Sequence, residues 1–207
     1  MLLAIIVTLF VGIQDPIIQK FAVRFAGGYL SEKTGADIKV GRLAVTPDFQ
    51  VYIDDVDVKD LKGNDLAKIE RLRVKIFVTE LLEGKIHLGR VMLRNADVNM
   101  IQYDGEDSYN FQFLADFFSS GKEKEKSSEP LELQIDNINV SNLNFVMWNQ
   151  NKDRPDKTEQ GAMDYAHLDL DSIYLSVKDL QILGDSIHTV VEMLKGKEMS
   201  GIEIKIL

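Results

Sequence analysis

Residues Leu133–Phe145 read Leu-Gln-Ile-Asp-Asn-Ile-Asn-Val-Ser-Asn-Leu-Asn-Phe, and the spacing of their apolar side chains decides the fold. The apolar residues form pairs two positions apart, and each pair begins five residues after the previous one: Leu133/Ile135, Ile138/Val140, Leu143/Phe145. Side chains of a strand alternate between two faces, so a step of five would place successive pairs on opposite faces. One extra residue at each step restores the face, which predicts long strands interrupted by β-bulges.

The same five-residue step recurs along the chain from residue 36 onward. The residues inserted at the steps are bulge and turn formers, such as Gly41-Arg42, Asp54-Asp55 and Asn95. A series of tight hairpins is the alternative, but its strands would be only about three residues long, shorter than is usual. We therefore favour bulged strands. The other pairs are Ile38/Val40, Leu43/Val45, Val51/Ile53, Val56/Val58, Ile86/Leu88, Val91/Leu93, Ala96/Val98, Leu168/Leu170, Ile173/Leu175 and Leu180/Ile182.

The positions between the apolar residues are nearly all polar, as at Lys39 and Asn139. One face of the predicted sheet therefore meets water, and the other face needs a cover. Helical segments are scarce after residue 35: a turn at Thr79–Glu83, an amphipathic segment at Phe111–Phe118 and a short helix near Thr189–Lys195. These cannot cover two sheets, so the apolar faces either meet in a sandwich or curl around a groove.

We predict a mainly β protein whose curved, bulged antiparallel sheet forms a groove, after an N-terminal membrane-anchor helix and an amphipathic helix. The predicted organisation is an anchor at 1–14, an amphipathic helix at 15–35, a first β-groove unit at 36–120, a charged linker at 121–130 and a second β-groove unit at 131–207. We predict that this linker is exposed to solvent, because it contains no apolar side chain and mixes opposite charges. The residues predicted to line the groove are Ile38, Val40, Leu43, Val45, Val51, Ile53, Val56, Val58, Val74, Ile76, Ile86, Leu88, Val91, Leu93, Val98, Met100, Leu133, Ile135, Ile138, Val140, Leu143, Phe145, Leu170, Ile173 and Leu175.

The first 14 residues carry no charge and would be apolar on every side of a helix, which is typical of a membrane segment. A complete span takes about 20 residues, so we expect a span cut off upstream, with a cleaved signal or a buried core helix as alternatives. The helix that follows starts at Asp15-Pro16, and its apolar stripe is expected to lie on a bilayer or to cap the sheet. The expected anchor residues are Leu2, Leu3, Ile5, Ile6, Val7, Leu9 and Phe10.

Composition excludes several classes of function. The 207 residues carry a formal charge of -9, so the chain lacks the excess of basic residues that nucleic-acid binding needs. The absence of cysteine excludes disulfides, thiolate zinc sites and cysteine nucleophiles. The histidines His87, His167 and His188 stand apart in the sequence, and His87 and His167 are expected to be ordinary surface or edge residues. We expect no catalytic residue, metal site or cofactor, and therefore no enzyme.

Taken in order, several stretches resemble the N-terminal region of the AsmA-like superfamily, most closely its TamB-like periplasmic proteins. The resemblance lies in the succession of short motifs and covers nearly the whole chain. The motifs are Asp15-Pro-Ile-Ile-Gln-Lys-Phe, Tyr29-Leu-Ser-Glu-Lys-Thr-Gly35, Ile38-Lys-Val-Gly-Arg-Leu43, Val51-Tyr-Ile-Asp-Asp-Val-Asp-Val58, Leu81-Leu-Glu-Gly-Lys-Ile-His-Leu-Gly-Arg-Val91, Asn95-Ala-Asp-Val-Asn-Met100, Tyr109-Asn-Phe-Gln-Phe-Leu114, Leu133-Gln-Ile-Asp-Asn-Ile, Asp164-Tyr-Ala-His-Leu-Asp-Leu170 and Met199-Ser-Gly-Ile202.

This resemblance implies a lipid-transfer protein. Its anchor would sit in the inner membrane, and the rest of the chain would cross the periplasm and carry phospholipid acyl chains toward the outer membrane. An Omp85-type outer-membrane barrel would be the partner of a C-terminal region that follows these segments in the family. The alternative is a membrane-tethered scaffold in the assembly of outer-membrane β-barrel proteins, whose sheet edges template strands of client proteins.

Overall fold

A computed structural model of the protein describes residues 27–82, 85–120, 132–153, 164–183, 186–198 and 203–206. The predicted anchor at 1–14, the first part of the predicted amphipathic helix and the charged linker at 121–130 lie outside the described residues. In the part of the chain that is described, no helix is long and apolar enough to cross a membrane.

Eight strands of the described residues form one open, curved sheet in which neighbours in space are also neighbours in sequence. The strands are β1 (Ile38–Val45), β2 (Gln50–Lys59), β3 (Asp65–Ile76), β4 (Ile86–Gln102), β5 (Glu132–Asn149), β6 (His167–Leu183), β7 (Ser186–Glu198) and β8 (Glu203–Ile206). The helical residues are 27–34 (α1), Val78–Leu82 (α2) and Gln112–Ser120 (α3).

The prediction of a mainly β protein is confirmed, and the sheet is mostly antiparallel. The exception is the central pair β4 and β5, which is parallel. β4 and β5 therefore start at the same end of the sheet and run in the same direction. The segments 36–120 and 131–207 therefore contribute neighbouring strands to one sheet, and they do not form two sheets facing each other.

The prediction of a short helix near Thr189–Lys195 was wrong, because these residues belong to β7. Val190 and Val191 are β-branched and favour strand conformation over helix. Pairing with β6 stabilises the strand conformation, with Val191 opposite Val177. The other two helical segments are close to the expected ones, at α2 and α3.

The predicted bulges are present at the five-residue steps. Asp55, Asn95, Asn142 and Ser172 each have a positive φ, between 49° and 58°, and so does Asp179, which lies outside the predicted steps. Asp and Asn tolerate this left-handed conformation better than most residues do. The strands run on through these positions, and β4 and β5 are 17 and 18 residues long, so the hairpin alternative was wrong.

The steps of neighbouring strands lie side by side and form a row across the sheet, which we call the transverse row. Its members lack a ladder partner, while the residues on both sides of them are paired, as in Val40 with Val56 and Arg42 with Asp54. Both strands of a pair have one extra residue at the same position along the sheet. The register beyond the row is therefore unchanged, and the apolar pairs return to the same face. The members are Gly41, Asp55, Glu70, Asn95 and Asn142.

Gly41 is the residue that the transverse row needs at the edge strand β1. A Cβ atom at this position would lie 2.8 Å from the Cβ of Asp55, closer than real Cβ contacts come. The absence of a side chain lets β1 approach the bulge of β2 without a shift of either backbone.

A small core closes one corner of the sheet. Ala36, Ile38, Val58 and Leu66 are buried there, and apolar residues of α1 and of the segment around α3 pack against them. The rings of Tyr29 in α1 and Phe117 in α3 lie 6.4 Å apart, edge to face. We call this corner the helical cap. Its packing residues are Leu30, Val56, Ala67, Phe111, Phe113 and Leu114.

Candidate functional site

The apolar residues of the sheet form continuous ranks perpendicular to the strands. Directly opposite residues share a face, so the cross-strand partners trace each rank from one strand to the next. The longest rank crosses all eight strands: Leu43, Ile53, Leu72, Leu93, Val140, Leu175, Leu194 and Ile206. A second rank crosses seven strands with β-branched residues alone: Val45, Val51, Val74, Val91, Ile138, Val177 and Val191.

These ranks and their parallel neighbours form one surface, which we call the apolar face. The next rank, beyond the transverse row, is Val40, Val56, Ile69, Ala96, Leu143 and Ile173. All the residues predicted to line a groove lie on this face. Sequence reasoning missed several members, including Ile69, Leu72 and Val177. The signal was present in β3, where Ala67/Ile69 and Leu72/Val74 repeat the five-residue step.

The helical cap covers the apolar face at one corner, where Ile38 and Val58 are buried beneath α1 and the segment around α3. Elsewhere the face has no second layer among the described elements, and the strands approach only their neighbours in the sheet, apart from α2 against β4. Within the ranks, Val140, Ile173 and Val177 are buried, with 7–9% of their surface exposed, while Val91 and Ile138 are only half-buried. Toward β7 and β8 the face opens further, with Ile187 66% exposed and Ile206 48% exposed. The arrangement is therefore an open sheet face.

A buried carboxylate holds the loop that leads to α3. Asp60 is 3% exposed. It accepts hydrogen bonds from the Tyr103 hydroxyl at 2.5 Å, from Asn110 Nδ2 at 3.2 Å and from the backbone N–H groups of Lys62 and Asn64 at 2.9 Å. Burial alone would raise the pKa of Asp60, but these hydrogen bonds to the ionised form outweigh it and lower the pKa. Asp60 thus ties the turn after β2 to the segment that carries the helical cap.

The parallel pair β4 and β5 is joined at its starting end by a histidine. His87 Nε2 lies 2.7 Å from Asp136 Oδ1 of β5, and His87 Nδ1 lies 2.9 Å from both carboxylate oxygens of Glu80 in α2. The Phe77 ring packs on the imidazole with ring centroids 4.3 Å apart. Burial lowers the pKa of His87, but the hydrogen bonds to Asp136 and Glu80 outweigh it, so the pKa is raised.

His167 is buried, so the expectation of a surface or edge histidine was wrong for this residue. Its side chain is 2% exposed. Both ring nitrogens have a partner, since Nδ1 lies 2.7 Å from Asp164 Oδ2 and Nε2 lies 3.0 Å from the carbonyl oxygen of Asn149. The Trp148 ring packs edge-on against it, with centroids 4.6 Å apart. These contacts connect the start of β6 to the end of β5, so the role of His167 is structural.

The His87 contacts make stability depend on pH. A raised pKa in the folded protein means that this stabilisation is present below the unfolded-state value of about 6.5 and is lost as the pH rises through the folded value. We expect the melting temperature of the protein to fall more steeply above about pH 6.5 than that of His87→Gln. Differential scanning fluorimetry from acid to alkaline pH measures the two slopes. Equal slopes would show that His87 titrates alike in the folded and unfolded chains.

A comparison with protein-family models and a comparison with curated proteins found no match to this chain. In the described part of the chain, no group of three or more His, Asp or Glu side chains is placed to hold a metal ion. The feature that distinguishes the molecule is therefore the apolar face, together with the polar contacts that fix its ends.

Proposed function

We propose that this chain is a segment of an inner-membrane-anchored, periplasm-spanning lipid-transfer protein, and that the apolar face carries phospholipid acyl chains. The observation that carries the proposal is the continuity of the apolar ranks across the sheet, which no second layer of described elements covers beyond the helical cap. Contiguous apolar surface of this extent is rare on soluble proteins unless it binds something.

The dimensions and energies of the apolar face suit acyl chains. Strands in a sheet are about 4.8 Å apart, so a rank that crosses eight strands extends for roughly 34 Å. A bilayer core of about 30 Å holds two acyl chains end to end, so one rank has room for about two chains in succession. Burial contributes about 0.8 kcal/mol per methylene, or roughly 10 kcal/mol for a long chain. Directional polar contacts are not needed for binding of this kind.

The family resemblance supports the rest of the proposal. In it, residues 1–14 anchor the protein in the inner membrane, the sheet lies in the periplasm, and acyl chains pass toward the outer membrane. An Omp85-type barrel would be the outer-membrane partner. The opposite, polar face of the sheet suits this location, because it keeps the segment soluble while the apolar face holds lipid.

A scaffold for the assembly of outer-membrane β-barrel proteins is the second candidate, and one observation favours it. β8 pairs only with residues 194–197 of β7, so in the described part of the chain the first half of β7 has a free edge. Ile187 and Val190 on this half are 66% and 56% exposed. A free edge of this kind can accept a strand from a client protein.

Photocrosslinking separates lipid carriage from strand templating. A photoreactive amino acid at Leu93, on the apolar face, is expected to form phospholipid adducts when the full chain is incubated with vesicles of phosphatidylethanolamine and phosphatidylglycerol. The matched control is Asn99 of the same strand, which lies on the opposite face and outside the arginine cavities. Mass spectrometry of the adducts gives the result.

Lipid adducts at Leu93 that exceed those at Asn99 would support lipid carriage. Equal yields at the two positions would contradict it. A third probe at Val190, on the free edge of β7, tests the scaffold. Adducts with an unfolded outer-membrane barrel protein at Val190, without lipid adducts at Leu93, would favour the scaffold.

A further inference from the structure

The polar face of the sheet carries two different charge patterns, one on each side of the transverse row. On the side of the helical cap, opposite charges lie directly across from each other in the order Lys39, Asp57, Lys68 and Asp97. Asn144 extends this ladder, since its Nδ2 donates a hydrogen bond to Asp97 Oδ1 at 2.8 Å. Such complementary cross-strand pairs stabilise a sheet.

On the other side of the transverse row, Asp54 lies between Arg42 and Arg71, but like charges lie directly across from each other between β3 and β4. Arg71 is opposite Arg94, and Lys75 is opposite Arg90. Like charges in this position destabilise a sheet, and the formal charge of -9 shows that the chain has no general excess of basic residues. Every arginine of the described residues lines one cavity of about 630 Å³ on this side: Arg42, Arg71, Arg73, Arg90 and Arg94.

Part of this arginine cluster is neutralised by nearby carboxylates. Arg73 lies 2.5 Å from Asp54 Oδ1 and stacks over the Tyr52 ring at 4.5 Å from its centroid. Arg71 lies 2.9 Å from Glu70. These two guanidinium groups are therefore held in place by the protein itself.

Arg90 and Arg94 differ, because neither has an ion pair or a side-chain hydrogen bond within the described residues, and both are exposed. They line a second cavity of about 320 Å³ together with three neutral hydrogen-bonding residues of β5: Asn137, Asn139 and Ser141. The described lining of this cavity contains no carboxylate. The site thus offers guanidinium, amide and hydroxyl donors that no described side chain uses.

We propose that Arg90 and Arg94, with Asn137, Asn139 and Ser141, form a binding site for a phosphate-ester anion. Guanidinium groups match the oxygens of phosphate in a two-pronged geometry, and amide and hydroxyl donors complete its coordination. Bound anion would also relieve the repulsion between the arginine rows. The backbone positions of the two arginines are four residues apart on β4, or roughly 13 Å, and the long side chains of both can reach toward one phosphate between them. The site is on the face opposite the apolar ranks and does not depend on lipid carriage there.

The test compares two double variants that remove the same charge from the full-length chain. Arg90→Gln/Arg94→Gln alters the proposed site, and Lys39→Gln/Lys68→Gln alters the complementary ladder on the same face. Binding of glycerol 3-phosphate is measured by titration calorimetry. Binding to vesicles of phosphatidylglycerol, with phosphatidylcholine vesicles as reference, is measured by co-sedimentation. Melting temperatures are recorded for all proteins.

Each lost arginine is expected to weaken binding about tenfold, as is typical for a charge-assisted hydrogen bond, while the lysine variant stays within about twofold. The arginine variant should melt at or above the temperature of the parent protein, and the lysine variant below it. Binding of both probes identifies the phosphate ester itself as ligand, and binding of vesicles alone identifies a lipid headgroup. Saturable binding of neither probe, or equal losses in the two variants, would overturn the proposal.

Discussion

Replacement of Val91 or Ile138 by Asp is expected to abolish phospholipid crosslinking on the apolar face while the protein stays folded. The two residues lie directly opposite each other across the parallel pair of β4 and β5, at the centre of the β-branched rank. A carboxylate there would have to lose its hydration against an acyl chain, which costs several kcal/mol. The unfolding free energy should fall by no more than about 2 kcal/mol, because no second layer of described elements packs on these half-buried residues.

The matched controls are Asn99→Asp and Val146→Asp, on the opposite face of the same two strands and also directly opposite each other. They introduce the same group on the opposite face, so lipid crosslinking should persist. Crosslinking yield and chemical denaturation together decide the outcome. Unfolding of the Val91 and Ile138 variants, with no lipid adduct on the parent protein, would mean that a packed core covers the face and that lipid carriage must be abandoned.

Asp60→Ala is expected to lower the free energy of unfolding by about 3–5 kcal/mol, since it leaves several buried donors without an acceptor. The donors are the Tyr103 hydroxyl, Asn110 Nδ2 and two backbone N–H groups. The loop before α3 would lose its attachment to the turn after β2, and the helical cap would loosen with it. Urea denaturation followed by circular dichroism measures the change.

Two further measurements test the reason for this effect. The exposed carboxylate of Asp65 pairs with Lys59 and Lys68, and solvent screens these ion pairs, so Asp65→Ala should change the free energy of unfolding far less than Asp60→Ala does. The pKa of Asp60 is lowered in the folded protein, so its stabilisation is present above the unfolded value of about 3.9 and is lost as the pH falls through the folded value. Asp60→Ala should therefore flatten the acid side of the stability profile. A loss below about 1 kcal/mol would contradict the assigned role.

The strands and their bulges could be predicted from the sequence, because both depend on local patterns. Asp55, Asn95 and Asn142 lie at the five-residue steps and are residue types that accept a positive φ. The direction of β5 could not be predicted in this way, since β4 and β5 pair with a constant offset of 47 residues that no local pattern encodes.

Features that depend on strand register were missed for the same reason. The arginine cluster exists only because Arg71 and Arg94 become direct neighbours when β3 and β4 pair. Asp60 meets Tyr103 and Asn110 across 43 and 50 residues of sequence. In β7 the local helical spacing of apolar residues was misleading, because pairing with β6 outweighs it.

The transverse row also limits which strands can join the sheet at its edge. β1 lies at one edge and carries the row at Gly41. A regular strand from another molecule could match β1 on one side of the row, but beyond it every side chain would point to the wrong face. Fibrils of the cross-β type grow by stacking regular strands, so the row protects this edge against such aggregation. A strand that has its own extra residue at the position of Gly41 could still pair with β1 along its whole length.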